Sequence, residues 1–248
     1  MRPGLLIPKW QLPGNVRAAI TTRRVPGQSR APFESFNLGA HVGDAPEAVA
    51  ANRAQLQAEL GLAQPIAWLN QVHGIDVHER RMVEHAPVSA DACISRSPGL
   101  ACAVLTADCL PILLCTKSGS AVAAVHAGWR GLLAGVIEAC VKQLAAGDQI
   151  LAYLGPAIGA AAFEVGPELK AAFLAHDPSS NAAFKPGLGD RFFADLALLA
   201  RQRLHNSGVA LISESDHCTY SQEELFYSHR RAGPRTGRFA SVIWQAAS

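Results

Sequence analysis

Charge is scarce in this sequence. Asp, Glu, Lys and Arg together make up 17% of its 248 residues, and the formal net charge is +2. That balance supplies no basic stripe to neutralise a nucleic-acid backbone and no polybasic cluster for an anionic membrane surface. A long apolar run is missing as well. None approaches the roughly 18 residues of a membrane helix, and the opening MRPGLLIPKWQLPGNV is broken by prolines where a signal peptide would run uninterrupted. The cytoplasm is the expected location. No repeat, low-complexity tract or long linker interrupts the chain, so one domain is expected over residues 1–248. Partners of small size, polar or anionic, remain open, and a monomer is expected.

What is present is core material. Hydrophobic residues reach 49%, enough for a compact globular domain. The six cysteines (Cys93, Cys102, Cys109, Cys115, Cys140, Cys218) sit mostly inside apolar strand or helix patterns and read as reduced thiols. Asp44 followed by Ala45-Pro46-Glu47 reads as a helix start, with Val49, Leu56 and Leu60 on one face and Gly61 at the end. Strand-like runs follow at 100–107, 111–116, 121–125 and 150–154. Between the last two, Leu132, Leu133, Val136, Ile137, Cys140, Val141 and Leu144 form one wide helical stripe capped at Gly147. Strand, helix and strand in that order predict a crossover and some parallel pairing. A further helix is predicted over Arg191 to Asn206, before Gly208 and the strand VALIS. The fold class expected is α/β (α+β): a single layered domain of mixed central β-sheets flanked by helices.

Three polar side chains stand where an apolar segment ends: His73 in WLNQVHG, Cys109 in LTADCLP and His126 in AVHAGWRG. Two imidazoles and a thiolate suit a borderline-soft ion such as Zn²⁺, and three protein ligands leave one tetrahedral position open, as catalytic sites do. The same residues also read as two satisfied core histidines and a small buried hydrophobe. Arg130, between Gly128 and Gly131 where a helix begins, is placed to seat phosphate or carboxylate, or to form a surface salt bridge. Trp129 reads as an aromatic stacking surface or a core wedge.

The set NQVHG, ADACIS, LTADCLPILL, AAVHAGWRG, LGPAIG and FEVG, with TTR and NLGAHVGD before it and RRAGPRTGRFASVIW after it, resembles the YfiH or laccase-domain family. The resemblance spans nearly the whole chain and implies a single α/β domain related in outline to a toxin deamidase. It implies metal ligands at His73, Cys109 and His126; these three and Arg130 are the expected catalytic residues, and substrate contacts are expected at Arg130, Arg23, Asn37 and Asp108. Two places depart from the family pattern: Arg23 is followed by Arg24-Val25-Pro26-Gly27-Gln28-Ser29, and LGPAIG by Ala160-Ala161-Ala162.

The activities implied are phosphorolysis of adenosine, inosine and methylthioadenosine, adenosine deamination, copper-dependent oxidation of phenols, and editing of serine-containing muramyl peptides. A zinc-dependent purine nucleoside enzyme is the leading expectation. Phosphate would be held by Arg130 and Arg23, and Asp108 is either a proton shuttle or a turn-fixing residue. Nine histidines without one His-x-His pair argue against a multicopper laccase, although a single Cu²⁺ at the three-ligand site is compatible. A cysteine hydrolase with Cys109 as nucleophile and a histidine base uses the same three residues. A structural zinc site would require a fourth ligand such as His217 or Cys218.

Overall fold

The computed structural model describes residues 4–83, 86–209 and 211–247. Its N-terminal third contains β1 (Leu5–Leu6), β2 (Val16–Thr21), α1 (Pro46–Glu59), β3 (Leu69–Asn70), β4 (Val77–Arg80) and β5 (Val88–Ser89). The apolar centre of the sequence forms β6 (Ala92–Ser95), β7 (Cys102–Thr106), β8 (Leu110–Thr116), β9 (Val122–Ala127) and β10 (Ile150–Leu154), with α2 (Trp129–Ala134) and α3 (Val136–Ala145) between the last two. Then follow β11 (Glu164–Val165), α4 (Pro167–His176), β12 (Phe184–Pro186), β13 (Phe192–Ala194), α5 (Leu196–Asn206), β14 (Leu211–Glu214), α6 (His229–Ala232) and β15 (Phe239–Gln245).

Two sheets stack into the core. One is antiparallel, in the order β1-β2-β15-β7; the other is mixed, in the order β14-β10-β8-β9-β6-β4. The alternation of side chains along a strand sorts them into layers. From β8, Leu113 and Cys115 join Val104, Phe239 and Ile243 between the sheets, while Ile112 and Leu114 face the helices with Ile137, Cys140 and Leu199. On the outer face of the antiparallel sheet, Ala103 and Leu105 pack with Leu56 of α1. Both faces of β8, β9 and β10 are covered, so every one of their residues is buried. This is why they read as unbroken apolar runs. The expected mixed, layered α/β domain is observed, and no helix among the described residues is long and apolar enough to cross a membrane.

The crossover is present in modified form. β9 and β10 both pair antiparallel with β8, which lies between them, so they run parallel to each other; direct parallel pairs are β10 with β14 and β4 with β6. The helix predicted across 132–144 is two helices broken at Gly135, whose φ of 107° is open to glycine alone among common residues. Ala146, followed by Gly147, closes the second. Residues 191–206 also divide: Phe192 and Phe193 suit a strand, and β13 pairs with both β11 and β12. The helix begins only after Asp195, whose carboxylate caps Leu198 N–H at 2.9 Å. Asp44 does not cap α1. Its carboxylate accepts instead from Ser29 Oγ (2.6 Å) and Asn37 Nδ2 (2.9 Å), and Ala45 takes the cap position. The strand expected at VALIS is β14, with Ala210 outside the described residues.

Candidate metal centre

Strand register assembles the site. Antiparallel pairing sets Leu110, at the start of β8, opposite Ala127, at the end of β9, and sets Ala92, at the start of β6, opposite Val125. Cys109, His126 and Asp91 therefore meet at one end of the mixed sheet. His73 arrives from the loop after β3, which Gln71 pins to β7 by accepting from Leu105 N–H and donating to Leu105 C=O, both at 2.8 Å.

The ligand atoms of His73, Cys109 and His126 lie within 4.8 Å of one another. His73 Nε2 is 3.8 Å from Cys109 Sγ, and the two imidazoles stand edge to face with centroids 4.8 Å apart. His73 is exposed, Cys109 half-buried and His126 buried. His73 (φ 60°) and Asp108 (φ 89°) both adopt the left-handed region, uncommon for residues with a side chain and concentrated at functional sites. The glycine after β9 is sterically required: a Cβ on Gly128 would stand 2.8 Å from His73 Cδ2 and 3.0 Å from Cys109 Sγ. Gly131 has a similar role, since its Cβ would meet Gly74 C=O at 2.9 Å.

Asp91 organises the candidate ligands and is a residue that sequence reasoning missed. Fully buried, it accepts from His126 Nδ1–H at 2.8 Å and from the backbone N–H groups of Val72 (3.2 Å), His73 (3.0 Å) and Gly74 (2.7 Å). One carboxylate thus orients the ring of His126 and the loop that carries His73. Because it can only accept, it holds a proton of His126 on Nδ1, which leaves Nε2 as the ring nitrogen that a metal ion would take. Burial alone would push the Asp91 carboxyl up, but hydrogen bonds from His126 and Gly74 hold it below the usual carboxylate range. The available signal was an acid flanked by alanines at a strand start, in ADACIS.

Burial also pushes the Cys109 thiol up, and the charge of His126 with hydrogen bonds from both histidines outweighs it, bringing the thiol down to about 6. For His126, burial pushes down while the Cys109 thiolate and Asp91 raise it to about 9. The metal-free pair is therefore a thiolate beside an imidazolium. A thiolate is the form of cysteine that ligates metals, and the imidazolium proton is the one an incoming cation displaces.

A cavity of about 420 Å³ opens over these groups. Leu105, Trp129, Ile158, Phe163 and Leu196 supply apolar wall, and His41, Arg130, Arg230 and Arg238 supply cations or imidazole. Arg130 is exposed, its guanidinium over the Trp129 ring at 4.4 Å; among the described residues it forms no ion pair. Trp129 is half-buried beside it. Asp108 lines the cavity too, but its carboxylate is already engaged by Thr219 Oγ1 (2.7 Å), Ser228 Oγ (3.0 Å) and Arg230 N–H (2.6 Å). Arg23 and Asn37 are not brought to the cavity. Arg23 donates to the carbonyls of Glu34 and Glu223, and Asn37 is wholly buried among loop partners. His217 bonds Gln222 at 2.8 Å, and neither it nor Cys218 joins the three ligands.

Fold and site together define a layered α/β protein with an organised His/Cys/His centre at the end of its mixed sheet. The family of multi-copper polyphenol oxidoreductase laccases matches residues 17–246. The chain belongs to that family. It is 50% identical over 241 residues to purine nucleoside phosphorylase YfiH of Escherichia coli, covering 97% of this chain and 98% of that protein. A purine nucleoside phosphorylase of Pseudomonas aeruginosa is 51% identical over 244 residues, covering 96% and 97%. Among solved structures, a Neisseria meningitidis protein superposes with a TM-score of 0.93 at 44% identity, covering 98% of this chain and 100% of that one. YlmD of Geobacillus stearothermophilus gives 0.90 at 29%, covering 100% and 98%.

Proposed function

We propose that the protein is a zinc-dependent purine nucleoside enzyme whose principal reaction is phosphorolysis of adenosine, inosine and methylthioadenosine, with adenosine deamination at the same centre. The observation that carries this reading is the convergence of His73, Cys109 and His126 beneath a cavity with apolar walls and a cationic rim. Two imidazoles and one thiolate fit Zn²⁺, and the missing side chain of Gly128 supports the reading by leaving two of those donors uncrowded. Bound there, the ion supplies Lewis-acid charge at neutral pH. The names of the similar proteins support the choice of substrate class.

The chain's own residues handle the rest. Trp129, Phe163 and Leu196 offer the purine an apolar surface from which water is excluded. Arg130 faces the phosphate. A phosphate oxygen bonds ribose C1′ as the C1′–N9 bond breaks, the bonding pair leaves with the purine, and the proton of hydrogen phosphate ends on N9. Asp108, accepting from Thr219, Ser228 and Arg230 N–H, ties the Thr219 loop to the start of α6. The test is release of adenine from adenosine with and without phosphate, using protein of measured metal content and His73→Ala as control. Turnover should require phosphate and fall with the metal content of the variant; equal, negligible metal in both proteins would sink the zinc assignment.

A second reading draws on the Asp91–His126–Cys109 array, which has the order of a cysteine hydrolase, orienting acid, base and thiolate. It would serve an amidase acting on serine-containing muramyl peptides. Chelation separates the two: an amidase of this kind keeps its activity after the metal is removed, whereas the nucleoside reaction loses it. Copper-dependent phenol oxidation would have to proceed at this single three-donor centre, the one such cluster among the described residues.

A further inference from the structure

One cation of the cavity has no task in that scheme. Arg238, at the entry to β15, is half-buried in the cavity wall. One terminal nitrogen donates to the carbonyls of Thr236 (2.8 Å) and Gly237 (3.0 Å), which fixes the plane of the guanidinium. Among the described residues nothing accepts from its Nε or its other terminal nitrogen, and no carboxylate forms an ion pair with it. Burial lowers its pKa while the charges of Cys109 and Asp108 support the protonated form, and a guanidinium stays charged at neutral pH. A partly desolvated cation with two free, coplanar donors is a binding group awaiting an anion.

Other residues fix where it sits. Asn37 Oδ1 accepts from Arg238 N–H at 2.8 Å and from Gly39 N–H at 2.9 Å, while Asn37 Nδ2 donates to Gly39 C=O and to Asp44. A Cβ on Gly39 would come within 2.7 Å of Arg238 Cγ, so that glycine provides the channel for the arginine stem. The motif NLGAHVGD thus works on Arg238. The neighbouring cations differ: Arg130 has its guanidinium over the Trp129 ring in the open, and Arg230 gives a terminal nitrogen to Glu164 C=O at 2.9 Å.

We propose that Arg238 is the anion anchor of the cavity, presenting Nε and a terminal nitrogen as a two-pronged donor to the oxygens of inorganic phosphate beside the His73–Cys109–His126 centre. Asn37 is its positioning residue. Calling phosphate the co-substrate rests on the phosphorolysis reading; the anchor itself does not. The experiment is calorimetric titration of inorganic phosphate into the metal-loaded protein, Arg238→Met, Arg238→Lys and Asn37→Ala, paired with separate KM values for phosphate and adenosine. Metal content and thermal melting are recorded for each.

Arg238→Met should weaken phosphate binding and raise its KM by about tenfold or more, with the adenosine KM nearly unchanged; Arg238→Lys, which keeps the charge and loses the fork, should fall between. Asn37→Ala should raise the phosphate KM while leaving metal content intact. If Arg238→Met fails to fold, Arg238→Lys carries the comparison. Phosphate affinity within about twofold of the parent in either folded Arg238 variant, or a parent that binds no phosphate, would overturn the anchor. Loss of phosphate binding in the variants, when even the parent does not phosphorolyse adenosine, would uphold the anchor and discard the reaction.

Discussion

Replacing Asp91 by Asn is the most searching perturbation of this site, because it keeps the shape and changes the hydrogen-bond arithmetic. Oδ1 of Asp91 accepts from His73 N–H and His126 Nδ1–H, and Oδ2 accepts from Val72 N–H and Gly74 N–H. All four partners are donors. An asparagine NH₂ turned toward Val72 and Gly74 leaves both of their N–H groups unsatisfied where Asp91 is fully buried, and one turned toward His73 and His126 leaves His73 N–H unsatisfied while the imidazole moves its proton to Nε2 to accept at Nδ1. Each unpaired buried donor costs about 1–3 kcal/mol, so the variant should lose about 1–6 kcal/mol depending on which way the amide turns. For a chain of this length that is a fall in Tm of about 2–24 °C. If the amide turns its NH₂ toward His126, the ring is no longer held with its proton on Nδ1, and affinity for zinc should drop about 10- to 100-fold, as for other partners of metal-bound histidines. Melting curves and competition with a chromophoric chelator read the two effects separately. A variant melting within 2 °C of the parent and holding zinc as tightly would refute the role assigned to this carboxylate. The same carboxyl is held below its ordinary value of 3.8 in the fold. Its contribution to stability is therefore complete above that value and is lost as pH falls through the lower, folded pKa; Asp91→Asn should flatten the acid limb of stability against pH.

Gly128→Ala has an allowed backbone, with φ −63° and ψ 153°, so its cost of about 1–3 kcal/mol arises from the clash with His73 and Cys109, and chelator competition should show metal affinity falling more than the Tm suggests. Gly135→Ala meets the opposite problem: space is available, but φ of 107° is strained for any side chain. A loss of about 1–2 kcal/mol should appear in denaturant midpoints with metal binding unchanged. In metal-free protein Cys109 should alkylate with a pH midpoint near 6. The rate should be high above that pH and lost below it, and zinc should suppress it throughout; a midpoint near the ordinary thiol value of 9.0 would remove the thiolate–imidazolium pair.

How far the sequence revealed the site depends on whether a residue's role shows in its own neighbourhood. His73, Cys109 and His126 each close an apolar run, so they stood out as candidates before any fold was known, as did the apolar strands β7 to β10; that the three share one cavity is a product of the strand register and of the loop after β3. The break at Gly135 was not, because a helical stripe continues through it: Leu132, Leu133, Val136 and Ile137 keep their faces, and only the glycine's backbone reports the turn. Residues 192–194 failed for a different reason, since β13 is a strand by virtue of pairing with β11 and β12, which lie before it in the chain.

Asp91 and Arg238 were invisible for the most instructive reason. Asp91 bonds the 72–74 loop about 18 residues upstream and His126 35 residues downstream, and Arg238 is set by Asn37, 201 positions away. For each, the partner that gives it its role lies far off in sequence: the 72–74 backbone and His126 for Asp91, and the Asn37 side chain for Arg238, whose guanidinium otherwise bonds only the adjacent carbonyls of Thr236 and Gly237. A ligand must present a side chain of the right chemistry and so announces itself by type; a residue that orients a ligand needs only a free lone pair or an N–H in the right place. That asymmetry predicts where substitutions are most easily misjudged in this chain: at Asn37, which resembles a contact residue in the sequence, and which should affect phosphate only through the arginine it holds.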